Sequence, residues 1–525
     1  MSALQFSRED RRQLAERGVN LDEAHRQFDR LHRPPSFAKL VRPCTVGDGI
    51  DRLTDDDVAR LGQWHAEAAA AGRLLKFVPA SGAATRMFAD LHFFHRGAGR
   101  AESWPEVQAR AKNGGSKEQS LVMLLRQIRR FAFHDDLEDV LRRSGEPLDG
   151  LAEAGAFQPI LDALLDEDGL GYDSLPKGLI AFHHDEAGGR TAFEEHLVEA
   201  VEYVRDGSGL CRLHLTVSPD SRARFDQLLH EAEARFGPLF DVRFEVGYSF
   251  QKSSTDTLAT DAGGALLRDD DGRLRFRPAG HGSLIENLND LGADIVFIKN
   301  IDNVQPDRVK PATYRYKAAL AGELILLQGV AFEHLETLRE AEPPEQALGA
   351  ATEFLARQLN VGPTPAGLPP SYQCRRAFLI DRLNRPIRIC GVVPATGEPG
   401  GGPFWVRGED GSVSIQIVES AQVDSQDEEQ QRIWRSSTHF NPVDLVCGLR
   451  DANGKPHELS RFVDRDAELV TTKSQGGRDV TVLERPGLWN GAMAGWNTVL
   501  VEVPIETFSP VKTVFDLLRD EHQPT

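Results

Sequence analysis

Between residues 179 and 298, short apolar runs alternate with amphipathic stretches, and this alternation limits the possible fold more than any other feature of the sequence. The apolar runs have the length and composition of buried strands, and the stretches between them repeat apolar residues with the period of a helix. In chain order they read LIAF, TAFEEHLVEAVEYV, CRLHLTVS, SRARFDQLLHEAEARF, DVRFEV and ADIVFIKN. Such alternation is typical of βαβ units, so we predict an α/β fold with a mixed, mostly parallel sheet flanked by helices.

The sequence patterns divide the whole chain into three predicted parts. Residues 1–70 repeat apolar positions among many charges, interrupted by Pro34-Pro35, and this pattern predicts a helical N-terminal extension. Residues 71–390 form the main α/β core, with an insertion of amphipathic helices at about residues 100–170. Residues 391–525 switch to short strands between Gly and Pro turns, and we expect them to complete the site on the core.

The overall charge excludes one class of function. The 525 residues carry a formal net charge of −19, and no basic stripe interleaved with aromatic residues is present, so we do not expect nucleic-acid binding. A polyanionic substrate would have to be held by a few local lysines, backbone amides and a metal ion, because the field of the whole chain repels it.

Cysteine usage and hydropathy indicate the compartment. The five cysteines are scattered without a CxxC pair, which is not the pattern of a disulfide framework or of a zinc site. The start, MSALQFSREDRRQL, carries charges where a signal peptide needs an apolar stretch. The most apolar segment, Ala318 to Phe332, is interrupted by Glu323 and is too short to span a bilayer. We therefore expect a cytoplasmic protein without a membrane segment.

A run of small residues follows the predicted strand LLKFVPA. Small residues between a strand and a helix let backbone amides approach phosphate oxygens closely, and the helix start adds the positive end of its dipole. An arginine at the end of this run could neutralise phosphate charge. Small-residue turns also occur for packing alone, and that reading stays open. The segment consists of Ser81, Gly82, Ala83, Ala84, Thr85 and Arg86.

Three further segments carry candidate ligand-binding groups. Lys177 follows a proline just before a predicted strand, where open α/β folds bind ligands, although a solvated loop lysine is the alternative. Asp302 follows the apolar run IVFI and is placed to give Mg²⁺ an oxygen ligand, unless it only caps the next turn. Gly280 and Gly282 flank His281, which suggests close backbone approach to a flat or hydroxylated ligand, or else a plain helix-entry turn.

Other chemistries lack their usual residues in this sequence. His183-His184-Asp185-Glu186 is rich in metal-ligand types, but adjacent residues on a strand point to opposite faces, and no HExxH spacing is present. Neither a Gly-x-Ser-x-Gly nucleophile elbow nor a Gly-x-x-x-x-Gly-Lys-Ser/Thr loop occurs. The hydrolase and P-loop interpretations are therefore not favoured.

Taken in order, SGAATRM, LPKG, FRPAGHG and KNIDN resemble the motifs of the uridylyltransferase branch of the sugar-nucleotide pyrophosphorylases, the UDP-glucose and UDP-N-acetylhexosamine pyrophosphorylases. The resemblance implies a GT-A-like, Rossmann-like core. It covers about residues 74 to 512 as separate islands. Through PASGAATRM and PGLWNGAM the chain is also identified as a member of a bacterial family labelled as a domain of unknown function.

Weaker matches downstream imply further contacts. The resemblance implies that Glu419, in IQIVESAQ, meets the sugar hydroxyls and that Lys512, in ETFSPVK, meets phosphate. It places Asn490, in LWNGAM, near the sugar or metal, and Gln251 beside the base and sugar with the Gly-His-Gly segment. One position departs from the family. Ala84 stands where the family has the second glycine of its loop, and it would be strained if that position needed a positive φ.

The resemblance implies a Mg²⁺-dependent nucleotidyltransferase that joins a nucleoside triphosphate, with UTP favoured, to a sugar 1-phosphate or similar small phosphate. In that interpretation Arg86, Lys177 and Lys512 neutralise the phosphates and Asp302 binds Mg²⁺. The alternatives are a GT-A glycosyltransferase, a non-catalytic nucleotide-sugar sensor, and a purely structural protein. The base, the sugar, the oligomeric state and the role of the N-terminal helices remain open.

Overall fold

The structure is a computed structural model that describes residues 5–524, apart from 186–187, 363–366, 368, 370, 398–399 and 476–477. Its contacts divide the chain into two compact units, each assembled from separate segments. The first unit comprises Met1–Ala68, Ser249–Ile298 and Ala318–Val503, and the second comprises Ala69–Tyr248, Lys299–Lys317 and Pro504–Thr525. The contacts thus group the chain differently from the three contiguous parts predicted.

The strands and α-helices are numbered in chain order. The strands are β1 (Lys39–Pro43), β2 (Thr45–Val46), β3 (Gly49–Asp51), β4 (Leu74–Pro79), β5 (Ala181–Asp185), β6 (Gly188–Thr191), β7 (Leu210–Thr216), β8 (Arg243–Ser249), β9 (Thr257–Asp261), β10 (Phe276–Arg277), β11 (Ile295–Ile298), β12 (Ile387–Val392), β13 (Gly402–Arg407), β14 (Val413–Val418), β15 (Asp444–Gly448), β16 (Leu469–Gln475), β17 (Arg478–Glu484) and β18 (Asn497–Glu502). The helices are α1 (Arg8–Arg17), α2 (Leu21–Leu31), α3 (Asp55–Ala70), α4 (Ala89–His95), α5 (Trp104–Lys112), α6 (Ser116–Gln127), α7 (His134–Arg143), α8 (Leu148–Ala154), α9 (Phe157–Leu165), α10 (Ala192–Tyr203), α11 (Arg222–Phe240), α12 (Ile285–Asp290), α13 (Lys310–Arg339), α14 (Glu345–Arg357), α15 (Tyr372–Leu383) and α16 (Glu428–Arg435).

A mixed sheet in the order β2-β3-β18-β12-β15-β11 forms the centre of the first unit. β18 pairs parallel with both β3 and β12, whereas β15 pairs antiparallel with β12 and β11. Every residue of β11, β12 and β15 is buried, as expected for strands covered on both faces. α13 packs closely against α3. A Cβ added to Gly322 on α13 would lie only 2.0 Å from the carbonyl oxygen of Leu61 on α3, so this approach requires a glycine.

The N-terminal residues are only partly helical. α1 starts at a capping box of Ser7 and Asp10 and ends at Gly18, whose φ of 76° suits a glycine. α1 and α2 pack with the sheet β10-β9-β17-β16 through a cluster that includes Leu14 and Leu258. The prediction of a helical extension is wrong between Lys39 and Asp51, where β1 pairs with β13, β3 pairs with β18, and β2 pairs with β3. Distant pairing partners, which local periodicity does not reveal, decide these strands.

The second unit contains the strands β4-β7-β8, and β4 pairs parallel with β7. α10 begins at a capping box of Thr191 and Glu194 and is buried along most of its length. The predicted helical insertion is present as α5 to α9. Two predictions need correction. The run LIAF leads into β5, which pairs with β6 in a two-stranded sheet apart from the larger one, as far as the described residues show. The segment VFDLLRD forms a 3₁₀ helix over Val514–Leu518. The α/β class, with mixed and mostly parallel strands flanked by helices, is confirmed.

α13 extends beyond the apolar segment noted in the sequence to 30 residues. Among the residues that the structure describes, it is the one helix long and apolar enough to cross a membrane, and half of its most apolar stretch is buried inside the protein. Core helices of globular proteins often meet the same criterion, so the helix does not by itself indicate a membrane segment.

Candidate active site

The small-residue segment after β4 folds back onto the loop that carries Lys177. The amide of Ala84 donates to the carbonyl of Leu175 at 3.0 Å, and the amide of Lys177 donates to the carbonyl of Gly82 at 3.4 Å. Residues 81 to 83, Thr85 and Arg86 are exposed beside this contact, and Arg86 makes no ion pair with any residue that the structure describes. The loop is thus an accessible surface held in place by its neighbour.

The helix after this segment differs from the prediction. Ala84–Phe88 is a 3₁₀ helix, and α4, which follows, has only seven residues, so the contribution of a helix dipole at the loop is small. Ala84 itself is buried, and its φ is not among the positive values found in the described residues. An alanine therefore fits this position without backbone strain, although its amide is already used by Leu175.

Two of the predicted lysines contact the same carboxylate oxygen of a third predicted residue, Asp302. The Nζ atom of Lys177 lies 2.8 Å from Oδ2 of Asp302, and Nζ of Lys512 lies 3.2 Å from the same atom. Lys177 also donates to the carbonyl oxygen of Val511 at 2.7 Å. The side chain of Lys177 is 14% exposed, whereas that of Lys512 is 61% exposed. One cation is fixed and the other is free to move towards solvent.

The C-terminal segment holds this cluster together. The amide of Val511 donates to the carbonyl of Asp302 at 2.9 Å, and the amide of Ser509 donates to Oδ1 of Asn303 at 2.9 Å. Thr513 closes a capping box with Asp516, which also accepts the amide of Lys512 at 2.8 Å. These bonds fix the backbone on both sides of Lys512 against the loop that carries Asp302.

A buried ionic network supports the residues just before Asp302. Both oxygens of Glu199, on α10, are used: Oε1 lies 2.8 Å from Nζ of Lys299, and Oε2 lies 3.0 Å from Nζ of Lys76. All three side chains are fully buried. Tyr203 donates to Glu199 at 3.2 Å, and His196 contacts the carbonyl of Ile301 at 3.3 Å. Because unpaired charges inside a protein are costly, this network fixes the chain entering the site.

Burial and neighbouring charges shift the pKa values of groups in the site and in the network beneath it. Burial disfavours the charged form of Asp302, but the ammonium groups of Lys512 and Lys177 hold its pKa below the ordinary value. Burial lowers the pKa of Lys76 to about 7, and the carboxylate of Glu199 opposes that shift. Asp302 is therefore an anion at neutral pH, shared by two cations.

The donor set around Asp302 can be compared with the needs of Mg²⁺, the ion that the motif resemblance implies. Mg²⁺ is commonly held by one or two carboxylates together with substrate phosphates and water. Within the described residues, the cluster of three His, Cys, Asp or Glu side chains close enough to share an ion lies elsewhere, at His95, Asp162 and Asp166. Asp302 thus offers a single carboxylate, which fits a Mg²⁺ ion that takes its other ligands from phosphate and water.

A second group of predicted residues lies in the first unit. Gly280 has a φ of 80°, and a Cβ on Gly282 would lie 1.8 Å from the carbonyl oxygen of Pro486, so both positions require glycine. His281 is exposed and its ring packs 4.9 Å from that of Trp489. The segment at 280 to 282 is therefore built against the segment at 486 to 489.

Asn490 and His281 approach each other across Gly487. A Cβ on Gly487 would lie 2.5 Å from Oδ1 of Asn490 and 3.1 Å from Nε2 of His281, so only glycine leaves room for both. Nδ2 of Asn490 donates to the carbonyl of Ile417 at 3.1 Å, whereas its buried Oδ1 has no hydrogen-bond partner among the described residues. An unpaired buried acceptor of this kind suits a ligand that donates a hydrogen bond.

Two further predicted residues belong to the first unit. Glu419 follows β14 two residues after Ile417, and burial, with the nearby carboxylate of Glu484, raises its pKa. Gln251 is half-buried, and its Nε2 has no hydrogen-bond partner among the described residues. Arg86, Lys177, Asp302 and Lys512 thus lie in the second unit, and the base- and sugar-directed candidates lie in the first.

Sequence reasoning missed the buried network of Glu199, Lys76 and Lys299. The signal was present, because Lys76 interrupts the apolar run of β4 and Lys299 ends that of β11. His183 and His184, considered for zinc, turn to different partners: His183 contacts Glu195 at 2.8 Å and His184 contacts the carbonyl of Phe131 at 3.2 Å. Glu186 lies outside the described residues.

A family model described as Domain of unknown function (DUF4301) matches residues 7–523. The chain belongs to this family. The membership indicated by PASGAATRM and PGLWNGAM, in a family labelled as a domain of unknown function, is confirmed. No curated protein matches the sequence.

Solved structures similar to this DUF4301 chain include UDP-sugar pyrophosphorylases. The UDP-N-acetylglucosamine pyrophosphorylase from Trypanosoma brucei matches with 14% identity and a TM-score of 0.48, covering 98% of this chain and 79% of that one. The UDP-glucose pyrophosphorylase from Leishmania major, in a mutant form bound to UDP-glucose, matches with 12% identity and a TM-score of 0.42, with the same coverage. A putative UDP-N-acetylglucosamine pyrophosphorylase from Entamoeba histolytica matches with 10% identity and a TM-score of 0.43, covering 92% and 85%.

Proposed function

We propose that this chain is a nucleotidyltransferase that joins a nucleoside triphosphate, with UTP favoured, to a sugar 1-phosphate or similar small phosphate and releases pyrophosphate. The observation that carries the proposal is the convergence of Lys177 and Lys512 on one oxygen of Asp302, with the exposed small-residue segment packed against the Lys177 loop. Two ammonium groups beside a carboxylate suit a polyphosphate in an otherwise acidic protein.

In the proposed reaction, an oxygen of the sugar 1-phosphate attacks the α-phosphorus of the triphosphate. The new oxygen–phosphorus bond forms as the bond to the β-phosphate bridging oxygen breaks, and pyrophosphate leaves with that electron pair. Positioning and charge neutralisation are the main requirements of such a transfer, and no covalent protein intermediate is needed. Lys177 and Lys512 neutralise the phosphates, and Arg86 with the backbone of Ser81 to Thr85 holds the triphosphate.

Asp302 would hold a Mg²⁺ ion through its carboxylate, and the ion would supply positive charge to the phosphate oxygens when bound. The chain itself keeps Asp302 ionised through the ammonium groups of Lys512 and Lys177, and it orients Lys177 through the bond to the Val511 carbonyl. With phosphate present, the Lys512 side chain can leave Asp302 and turn to substrate, because it is mostly exposed and its contact with Asp302 is long, at 3.2 Å.

The candidates of the first unit are assigned to the base and sugar. Gly280 is exposed and permits close approach of a flat ring, Gly282 lets the segment pack against Pro486, and His281 and Gln251 can donate hydrogen bonds to the ring. Glu419 and the unpaired Oδ1 of Asn490 can accept hydrogen bonds from sugar hydroxyls. We further propose a cytoplasmic location, in line with five cysteines that are all free thiols.

The direct test measures pyrophosphate release by the purified full-length chain. Each of the four common nucleoside triphosphates is combined with a panel of sugar 1-phosphates, with Mg²⁺ and with excess chelator. We expect release with at least one pair, dependent on Mg²⁺, and its loss in Asp302→Asn.

The matched control is Asp226→Asn, which removes a surface carboxylate paired with Arg222 at 2.8 Å and should keep full activity. Unchanged turnover in Asp302→Asn would contradict the assignment. Tight nucleotide binding without pyrophosphate release from any pair would replace it with the non-catalytic sensor.

A further inference from the structure

A compact group of ligand-type side chains lies outside the proposed active site, between α4 and α9. His95 is the last residue of α4, Asp162 lies on α9, and Asp166 follows α9 by one residue. The two aspartates are four residues apart, so they lie on the same face of the helix end. Nε2 of His95 lies 3.2 Å from Oδ1 of Asp166 and 3.5 Å from Oδ1 of Asp162.

These separations match the edges of a tetrahedral metal site. With metal–nitrogen and metal–oxygen bonds of about 2.0–2.2 Å, two ligands of a tetrahedral ion lie about 3.3 Å apart. One atom from each of the three side chains lies within 4.8 Å of the others. A single ion could contact all three after rotation of the aspartate side chains.

His95 provides the independent observation that points to a ligand. Its side chain is 1% exposed, and neither ring nitrogen makes a hydrogen bond of acceptable geometry with any described residue. A buried imidazole normally has a partner for each nitrogen, since leaving one unpaired is costly. Nε2 points between two carboxylates. As a hydrogen-bond donor it could serve only one of them, whereas a metal ion bound to Nε2 could bind both.

Two arginines compete for the same carboxylates. Arg96 contacts Asp166, and Arg100 contacts Asp162 at 3.2 Å. Their side chains are 63% and 51% exposed, so both can turn into solvent when a cation replaces them.

We propose that His95, Asp162 and Asp166 bind a divalent transition-metal ion of the Zn²⁺ type. One imidazole nitrogen with two carboxylate oxygens is a donor set for Zn²⁺, Co²⁺ or Mn²⁺, whereas Mg²⁺ favours oxygen donors alone. The ion joins α4 to α9. The proposed metal site lies near the small-residue segment, and Asp173 links the two. Its carboxylate contacts Arg96 at 3.5 Å, and its carbonyl oxygen accepts a hydrogen bond from Thr85 at 3.3 Å.

The test uses Co²⁺ as a spectroscopic probe on the full chain, stripped of metal with a chelator. We expect the chain to bind one Co²⁺ ion and to show the intense visible absorption bands of tetrahedral Co²⁺. Added Zn²⁺ should displace the Co²⁺ and abolish these bands. An oxygen-only site such as Asp302 would give only the faint bands of octahedral Co²⁺. Asp162→Asn, at a partly exposed position, should weaken binding by more than about tenfold.

Two further variants separate a metal site from a plain ion-pair cluster. Asp149→Asn removes a comparable carboxylate, paired with Arg129 on the surface, and should leave Co²⁺ binding unchanged. Arg96→Ala removes the competing guanidinium and should tighten binding about two- to fivefold. Absence of tetrahedral bands in the wild type, or equal Co²⁺ affinity in Asp162→Asn and Asp149→Asn, would overturn the proposal.

Discussion

Replacing each site lysine by methionine separates a fixed cation from a mobile one. Methionine keeps most of the side-chain volume and removes only the charge. Lys177 is 14% exposed and bonded both to Asp302 and to the carbonyl of Val511, whereas Lys512 is 61% exposed with one contact of 3.2 Å. The proposed function therefore predicts unequal losses of activity.

The magnitudes follow from burial. A preorganised donor in a partly desolvated site contributes about 3 kcal/mol to the transition state, so Lys177→Met should lower kcat/KM for pyrophosphate release by roughly two orders of magnitude. An exposed ammonium group is screened by water and contributes about 1 kcal/mol, so Lys512→Met should lower kcat/KM only about fivefold. The ratio of the two losses is the quantity predicted.

Steady-state pyrophosphate release with the best substrate pair measures both losses. Lys112→Met, an exposed lysine on α5, is the control and should match the wild type. Thermal denaturation of each variant checks folding, since Lys177→Met also leaves the Val511 carbonyl without its donor and should cost about 1–2 kcal/mol of stability. A larger loss in Lys512→Met than in Lys177→Met, with both variants folded, would refute this reasoning.

Three further predictions concern stability, measured by urea denaturation. Glu199→Gln should lower the free energy of unfolding by about 3–5 kcal/mol, because it leaves two buried lysines without their carboxylate. Lys76→Met should lower it by less, and the reverse order of the two losses would contradict the proposed network. Burial, with His183 nearby, lowers the pKa of His522 to about 3 from 6.5, so the folded state resists protonation and stability should fall by about 2 kcal/mol between pH 6.5 and 5. His522→Asn should flatten that slope, and an unchanged slope would show that other groups cause it. Gly282→Ala should destabilise the protein by about 1–3 kcal/mol, because the added Cβ clashes with the Pro486 carbonyl. The control Gly329→Ala, which has open space in α13, should be neutral or stabilising. Equal effects of the two substitutions would show that the backbone at Gly282 can move.

Local patterns in the sequence were sufficient for much of the secondary structure. The apolar runs of β4, β11 and β12 were predicted as strands and are strands, because burial on both faces requires mostly apolar residues. β7 was also predicted as a strand and is one, with buried residues alternating with half-buried ones. The helical character of the insertion was predicted from its amphipathic stretches, which match α6, α7 and α9. The order of the LPKG, KNIDN and SPVK segments also identified the residues that converge at Asp302.

Pairing between distant segments was decided only in the tertiary structure. Lys512 reaches Asp302 across 210 positions of sequence, and no local period encodes such a contact. For the same reason the sequence did not reveal that Asp302 is shared by two lysines, that β1 to β3 form strands, or that His95 meets Asp162 and Asp166. The sequence by itself determined which residues carry charge and which segments are apolar. The fold decided which charges are buried together, because burial and distance set the strength of an electrostatic interaction.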